Sequence, residues 1–342
     1  MIHMRKKLVI SFEEIVSLEN LFEAWEDFIR GKRNKKDVQN FHEHLFDEIP
    51  ALYEDLISGQ YQHSSYYHFR ICDPKTRDIH KAEVRDRLLH HAIHRKLYPF
   101  FASTFIADSF SCQNGKGLHR AIDRFQTMTR SVTTNHSKTG WALKCDIQKF
   151  FASVDHNILL DILSIYIQDQ KILSLLASII ESFHTLSGKG IPLGNLTSQL
   201  FSNIYMNEFD QFMKHKMKTK NYIRYADDFL ILSMDKIWLI NLIPQMELFL
   251  SERLGLHLHP KKIFLKTFAS GIDFLGWVHF PYHRILRTSS KKRMVKNFKH
   301  SSTPSVLASC LGLMSHGDTF EVRQQFLNDA WLFDETLLLT KF

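Results

Sequence analysis

Residues 222–232 read YIRYADDFLIL, and two adjacent acids lie in the middle of an otherwise apolar and aromatic stretch. Side chains of this kind favour β-strands on both sides of the acids. Adjacent carboxylates repel each other and resist burial. A tight hairpin turn brings Asp227 and Asp228 to one rim of a sheet, where a divalent cation can offset their repulsion.

A third carboxylate comes from residues 141–156, WALKCDIQKFFASVDH, whose first half is strand-like. Asp146 falls near the end of that strand, and Asp155 is expected to cap the following helix. Magnesium takes oxygen ligands, usually carboxylates with waters and substrate phosphates. Two such ions stabilise the attacking and leaving oxygens of a phosphoryl displacement. Asp146, Asp227 and Asp228 therefore indicate a two-metal nucleotidyl transferase.

The composition is that of a basic globular protein. The chain has 342 residues, 44% of them hydrophobic, and a net charge of +8, which suits a polyanion partner. Its four cysteines have no paired spacing, which argues against a zinc site or a disulfide framework. No apolar run reaches the roughly 18 residues of a membrane span, and acids directly follow the basic start. We expect a cytoplasmic protein without membrane contact.

The order of predicted elements is that of an α+β protein. Helices are predicted near 12–30 and 37–57, up to Pro99, within 157–184, from Thr197 or Ser198, over 237–254, and from about 284 onward. Strands are predicted on both sides of a turn at Asp73-Pro74, over WALKC (141–145), and over YIRYA (222–226) and FLILS (229–233).

The YADD motif (225–228) closely resembles the central motif of reverse transcriptases, and other segments resemble further motifs of that family in the same order. These segments are LKCDIQKFFASVDH (143–156), IPLGNLTSQLFSNIYMNEFD (191–210), LHLHPKKI (256–263) and FLGW (274–277). Upstream, residues 84–101 and 108–122 resemble the fingers segments of group II intron-like bacterial enzymes. The resemblance covers about residues 60–320, and several motifs in order make it specific.

This resemblance implies a right-hand polymerase fold with fingers, a palm of antiparallel sheet plus helices, and a helical thumb. It divides the chain into an N-terminal helical extension (1–60), a fingers and palm core (61–283) and a helical thumb (284–342). The implied reaction is RNA-directed DNA synthesis with two Mg²⁺ ions, for which Mn²⁺ is a possible substitute. The implied partners are a template RNA, the RNA/DNA duplex and deoxynucleoside triphosphates.

The resemblance also implies the catalytic residues. Asp146, Asp227, Asp228 and the backbone carbonyl of Ile147 are the implied metal ligands, with orientation of the primer end as an alternative role for Asp228. Lys262 stands in the place of the family's lysine. There it either protonates the leaving pyrophosphate or neutralises its charge.

A further set of residues is implied to bind the incoming nucleotide. Phe151 lies beneath the sugar, where a bulky ring clashes with a 2′-hydroxyl and so selects deoxynucleotides. Its neighbour Phe150 faces the core. The implied nucleotide-binding residues are Arg70, Lys75, Ile147, Phe150, Phe151, Leu193, Gly194 and Gln199.

Basic residues on the fingers strands are implied to bind the triphosphate. Arg70 and Lys75 are the first candidates, because arginine suits bidentate phosphate contact and lysine suits a point-charge contact. The register is loose, so Arg77 and Lys81 are alternatives.

Nucleic-acid contacts are implied at two further places. Arg85 and Arg87 open the helix that follows the fingers strands. Lys292, Lys296 and Lys299 share one face of a thumb helix, where phosphate contacts give affinity without sequence choice.

One departure from the common pattern is informative. Many reverse transcriptases have glutamine before Gly194 and Ser-Pro after it, whereas this chain has Leu193 and the sequence GNLTSQ (194–199). That pattern resembles the enzymes of diversity-generating retroelements, which copy a template RNA with frequent errors at adenines and work with a small basic accessory protein. Leucine cannot hydrogen-bond near the nucleotide, so we expect Leu193 to favour misincorporation opposite adenine.

Two alternatives stay open at the level of sequence. The first is a free-standing group II-like, retron-like or antiphage-defence reverse transcriptase. The second is a non-catalytic, maturase-like RNA-binding protein, against which the intact acids argue. In each case the expected source is a bacterium or a phage.

Overall fold

The computed structural model describes residues 6–72, 75–300 and 303–333. Its helices are α1 (Phe12–Val16), α2 (Leu18–Ile29), α3 (Lys36–Glu43), α4 (Leu45–Ile57), α5 (Val84–Ala102), α6 (Leu118–Val132), α7 (Phe150–Ser153), α8 (His156–Tyr166), α9 (Gln170–Glu181), α10 (Leu196–Gln211), α11 (Lys236–Leu254), α12 (Thr288–His300), α13 (Pro304–Met314) and α14 (Phe320–Phe333). Its strands are β1 (Tyr67–Ile71), β2 (Arg77–Lys81), β3 (Trp141–Asp146), β4 (Tyr222–Tyr225), β5 (Asp228–Ser233), β6 (Phe264–Thr267), β7 (Ile272–Phe274), β8 (Trp277–His279) and β9 (Arg284–Leu286).

The strands form three sheets within the described residues. β1 and β2 form an antiparallel pair, a four-stranded sheet has the order β4-β5-β3-β6, and a three-stranded sheet has the order β7-β8-β9. The two-residue connection makes β4 and β5 a hairpin, and β3 pairs with β6 antiparallel, with Trp141 opposite Thr267. The mixture of helices and antiparallel sheets confirms the predicted α+β class.

The described residues belong to two compact units. The first comprises Met1–Gly117, Cys145–Phe229 and Asn241–Lys262, and the second comprises Leu118–Lys144, Leu230–Ile240 and Ile263–Phe342. The predicted boundaries between extension, fingers with palm, and thumb stay a prediction. None of the helices in the described ranges is long and apolar enough to span a bilayer.

Amphipathic helices build the N-terminal part of the first unit. Leu21, Trp25 and Phe28 recur on one face of α2 and are buried, as their helical spacing predicts. The single helix predicted over 12–30 is in fact two, because the Ser17 side chain accepts a hydrogen bond from Asn20 N and caps α2. The helix predicted over 37–57 is likewise divided, at His44.

The helix that carries Leu89 does not stop at Pro99, contrary to the prediction. Pro99 lies inside α5, which continues to Ala102. Proline removes one backbone donor, but Leu97 and Phe101 on either side of it are buried, and their packing holds the helix together. The strands predicted on both sides of Asp73-Pro74 are confirmed as β1 and β2, whereas the turn itself lies outside the described residues.

The second unit contains the FLGW turn. Leu275 and Gly276 connect β7 and β8 and have φ of 51° and 85°. Residues 284–286 form β9, which pairs with β8, so the prediction of helix from about 284 is wrong for this segment. Backbone pairing with β8 decides its conformation, and helix α12 begins only at Thr288.

Candidate active site

The two adjacent acids lie at a two-residue hairpin turn. Strand β4 ends at Tyr225 and β5 begins at Asp228, which leaves Ala226 and Asp227 between them. Ala226 has φ of 56°, a left-handed conformation that is uncommon for a residue other than glycine. The predicted hairpin is therefore present, but its turn is Ala226-Asp227 and not Asp227-Asp228, because Asp228 is already the first residue of β5.

Asp146 is the last residue of β3, the strand next to β5. The amide of Ile147 donates to the carbonyl of Asp227 at 3.2 Å, which fastens the end of β3 to the turn. From the other side, His259 N donates to the carbonyl of Asp146 at 2.8 Å. The chain segments of Asp146, Asp227 and the lysine-bearing motif thus meet at one place.

Lys262 supplies positive charge to this site. Its Nζ donates to Asp146 Oδ1 at 2.7 Å, and the Asp146 side chain is only 16% exposed. Burial raises the pKa of Asp227, and the nearby Asp146 carboxylate raises it further, whereas Lys262 and Arg77 act to lower it. The sequence prediction that Lys262 belongs with the acids agrees with this geometry.

Asp228 shares the same electrostatic neighbourhood. Burial raises the pKa of the Cys145 thiol, and the charges of Asp228 and Asp146 raise it further. Cys145 directly precedes Asp146 on β3, so the charges of Asp146 and Asp228 both act near the end of this strand. Acidic charges this close repel one another, and a nearby cation offsets the repulsion.

The donor chemistry fits a hard, oxygen-binding cation. Asp146, Asp227 and Asp228 offer carboxylate oxygens, the ligands that Mg²⁺ takes in proteins. As the described side chains stand, however, no group of three His, Cys, Asp or Glu residues is close enough to hold a metal ion. The metal ligands, including the carbonyl of Ile147, therefore stay a prediction.

The two phenylalanines after β3 have different environments. Phe150 is 2% exposed and faces the core, as predicted, whereas Phe151 is only partly buried. Their rings meet edge to face with centroids 5.3 Å apart. The amide of Ile191 donates to the Phe151 carbonyl at 2.8 Å. This hydrogen bond fixes the backbone of Phe151, whose ring is partly exposed.

The loop that contains Leu193 is hydrogen-bonded to strand β2. His80 N donates to the carbonyl of Leu193 at 3.2 Å, and Asn195 Nδ2 donates to the carbonyl of His80 at 3.0 Å. Gly194 has φ of 111°, and a Cβ there would lie 3.2 Å from Ile79 Cγ2. The loop therefore needs glycine at this position. Partly buried Gln199 follows in the first turns of α10.

The basic candidates on the fingers strands have different partners. Arg70 pairs with Asp78 at 3.0 Å, Lys81 pairs with Asp37 at 2.6 Å, and Lys75 is exposed. Arg77 is the alternative whose charge acts on Asp227. The assignment of these residues to the triphosphate stays a prediction.

The arginines that open α5 make contacts within the protein. Arg85 is ion-paired with Asp55, and Arg87 is ion-paired with Asp37. Both side chains are mostly buried, with 22% and 16% exposed. These pairs tie α5 to α4 and α3, and a role of Arg85 and Arg87 in nucleic-acid binding stays a prediction.

Three of the four lysines of α12 are exposed, and Met294 and Phe298 of the same helix are buried. The exposed lysines are Lys292, Lys296 and Lys299.

Elsewhere, the prediction for Asp155 is confirmed, because its side chain accepts from the amides of Asn157 and Ile158 and caps α8.

The sequence analysis gave no role to Arg224 and Asp210. Both are buried, at 1% and 0% exposed, and Arg224 Nη2 lies 2.6 Å from Asp210 Oδ2. A signal was present, since an arginine inside the apolar strand YIRYA must find a partner if it is buried. The distance of 14 residues along the chain gave no indication of which acid that is.

Comparisons with known proteins agree with this geometry. The family described as "Reverse transcriptase (RNA-dependent DNA polymerase)" matches residues 73–279. Protein YkfC of Escherichia coli K12 is 25% identical over 311 residues, which cover 78% of this chain and 79% of YkfC. The group II intron-encoded protein LtrA of Lactococcus lactis is 22% identical over 182 residues, which cover 50% of this chain and 29% of LtrA. This chain thus matches less than a third of LtrA.

Among solved structures, an apo telomerase from Candida tropicalis, truncated from its C-terminal domain, aligns with a TM-score of 0.48 and 14% identity. The alignment covers 65% of this chain and 55% of that chain. The family match itself extends over more than half of the present chain and includes Asp146, Asp227, Asp228 and Lys262. The protein therefore belongs to the reverse transcriptase family of RNA-directed DNA polymerases and has the right-hand polymerase fold.

Proposed function

We propose that this chain makes cDNA on a template RNA by two-metal nucleotidyl transfer, as the error-prone polymerase of a diversity-generating retroelement. One observation carries the catalytic part of the proposal. Asp146, whose carboxylate accepts from Lys262, ends a strand that is hydrogen-bonded through Ile147 N to the Asp227 carbonyl in the neighbouring hairpin turn.

The chain's own residues have distinct tasks in this reaction. Asp146, Asp227 and Asp228 would hold the metal ions, which would supply charge stabilisation for the attacking and leaving oxygens of the transfer. Lys262, whose Nζ lies 2.7 Å from Asp146 Oδ1, either protonates the leaving pyrophosphate or neutralises its charge. The hydrogen bond from Ile147 N to the Asp227 carbonyl keeps the strand end and the turn aligned.

Primer extension on an RNA template, with and without Mg²⁺, tests the reaction directly. The purified protein is expected to extend a DNA primer only when the metal ion is present. The double variant Asp227→Ala/Asp228→Ala should be inactive. Robust synthesis by that variant would show that the catalytic assignment is wrong.

Replacing Phe151 with alanine is expected to weaken the selection of deoxynucleotides. The partly exposed ring is the group that would clash with a 2′-hydroxyl, so its removal should raise ribonucleotide incorporation by about 10- to 200-fold, the range typical of steric discrimination. The measurement is kcat/KM for a dNTP and the matching rNTP. Phe150→Ala is not a suitable control, because Phe150 is in the core. Unchanged sugar preference in Phe151→Ala would contradict the role.

The diversity-generating assignment depends on Leu193. Its backbone is fixed by His80 N, and its leucine side chain offers no hydrogen bond where many reverse transcriptases have glutamine. Loss of one such polar constraint corresponds to about 1 kcal/mol, which is roughly fivefold in discrimination. The relaxed geometry supports frequent misincorporation.

The variant Leu193→Gln is therefore expected to make fewer errors at template adenines, by roughly fivefold. Sequencing of cDNA made by both proteins on one RNA gives the error rate at each base. Errors at the other template bases serve as an internal control. Equal error rates at adenines in the two proteins would reject the role of Leu193.

A group II-like enzyme outside a diversity-generating retroelement is the second candidate, and the similarity to LtrA favours it. The neighbouring genes separate the two candidates. A retroelement polymerase should lie beside a variable repeat and a gene for a small basic accessory protein. Sequencing of RNA that copurifies with the protein would identify the template.

A further inference from the structure

We infer that Arg224 is a positioning residue of the polymerase, which fixes the turn that carries Asp227 by holding the carbonyl of Ala226. The inference rests on the proposed catalytic role of Asp227. It assigns a task to a buried ion pair that touches neither substrate nor metal ligand side chain.

The guanidinium of Arg224 uses two faces. Nε and Nη2 donate to the two oxygens of Asp210 on α10, at 2.8 and 2.6 Å, and Tyr222 Oη donates to the same carboxylate at 2.7 Å. Nη1 donates to the carbonyl of Ala226 at 2.9 Å and also contacts Asn203 Oδ1 of α10 at 3.5 Å. Arg224 thus connects the rigid helix α10 to the residue that precedes Asp227.

The contact falls on the strained residue of the hairpin. Ala226 has φ of 56°, and such a conformation persists only when its surroundings hold it. The side chain of Arg224 supplies a fixed donor to that peptide group. Since the Ala226 carbonyl belongs to the peptide bond that enters Asp227, its position sets the direction of the Asp227 carboxylate.

The backbone of Arg224 is itself anchored. Arg224 N donates to the carbonyl of Asp108 at 2.9 Å, and Phe110 N donates to the carbonyl of Arg224 at 3.0 Å. Lys116 fixes the same loop, because its Nζ donates to three carbonyls at 2.7 to 3.2 Å, those of Ile106, Ala107 and Ser109. The segment DSFSCQNGK (108–116), which resembles a fingers motif, therefore acts as a support for the base of the catalytic hairpin.

Stability alone does not explain the choice of these residues. A buried ion pair can often be replaced by apolar side chains of similar volume without loss of stability. Lysine would keep the charge of Arg224, but it lacks the planar fork that reaches Asp210 and Ala226 at once. Only arginine can bind the Asp210 carboxylate and the Ala226 carbonyl at the same time, and the second of these contacts holds the turn.

Replacing the whole network by apolar side chains tests the effect on catalysis separately from the effect on folding. The variant Asp210→Leu/Arg224→Met/Tyr222→Phe removes both buried charges and the tyrosine hydroxyl together, while the Ala226 carbonyl and Asn203 Oδ1 lose their donor, and it is expected to stay folded with a Tm near that of the wild type. Its kcat in primer extension is expected to fall by about 10²-fold, as for a small misplacement of a catalytic group. The rise in Tm that Mg²⁺ causes should also be smaller.

Arg95→Met is the matched control, because Arg95 forms ion pairs with Glu23 and Asp27 away from the site. It should leave kcat and the effect of Mg²⁺ on Tm unchanged. If the apolar variant does not fold, Arg224→Lys replaces it, with the same expected loss of kcat in a folded protein. A kcat within about threefold of the wild type in either folded variant would overturn the positioning role. Absence of synthesis by the wild type contradicts the proposed function instead.

Discussion

Asp227→Asn will abolish polymerisation and at the same time raise the thermal stability of the protein. In the proposed role Asp227 holds a metal ion that supplies several kcal/mol of transition-state stabilisation, so its replacement should lower kcat by roughly 10³-fold. The stability effect has the opposite sign. Burial and the nearby Asp146 raise the pKa of Asp227, so folding favours its protonated form, and this preference lowers the free energy of unfolding at pH values above the ordinary pKa of an aspartate.

Asparagine keeps the shape of the side chain and removes the charge. The Tm of the variant without metal should therefore exceed that of the wild type, and Mg²⁺ should narrow the difference because it stabilises only the wild-type site. Asp161→Asn makes the same chemical change at an exposed position of α8 and should change neither kcat nor Tm. More than about a tenth of the wild-type kcat in Asp227→Asn would contradict the assignment, as would a lower Tm.

The catalytic hairpin could be predicted because its information is local. Apolar and aromatic residues on both sides of the two acids determine two strands, and the short connection leaves only a turn between them. The left-handed conformation of Ala226 could not be predicted, since alanine does not favour it. The Ala226 carbonyl accepts a hydrogen bond from the Arg224 side chain, a contact that the local sequence does not specify.

Features that depend on distant partners were not predictable in the same way. Residues 284–286 look like the start of a basic helix, but pairing with β8 makes them a strand. Pro99 suggests a helix end, but burial of Leu97 and Phe101 continues α5 past it. In both places tertiary packing outweighs local preference.

The charged residues also differ in how far their partners could be predicted from the sequence. The motif order brings Lys262 into the neighbourhood of the acids, and the bond to Asp146 agrees with that expectation. The partners of Arg85 and Arg87 are acids of α4 and α3, far away in sequence, and no local pattern identifies them.

Removal of one member of the buried ion pair should produce a large loss of stability. In Asp210→Ala, Arg224 keeps its charge, is 1% exposed and loses its carboxylate partner. An uncompensated buried charge of this kind typically lowers the free energy of unfolding by about 3–5 kcal/mol. Tyr222 Oη loses its acceptor as well, which adds to the effect. Urea unfolding followed by circular dichroism measures the loss.

The exposed pair of Arg70 and Asp78 provides the comparison, because its two side chains are 61% and 48% exposed. Water can solvate Arg70 when its partner is removed, so Asp78→Ala should change the free energy of unfolding by at most about 1 kcal/mol. The contrast between the two alanine variants depends on burial, since both remove one aspartate from an arginine pair. Equal losses in the two variants would mean that Arg224 is hydrated when unpaired, and the hairpin base would then be more open than the structure indicates.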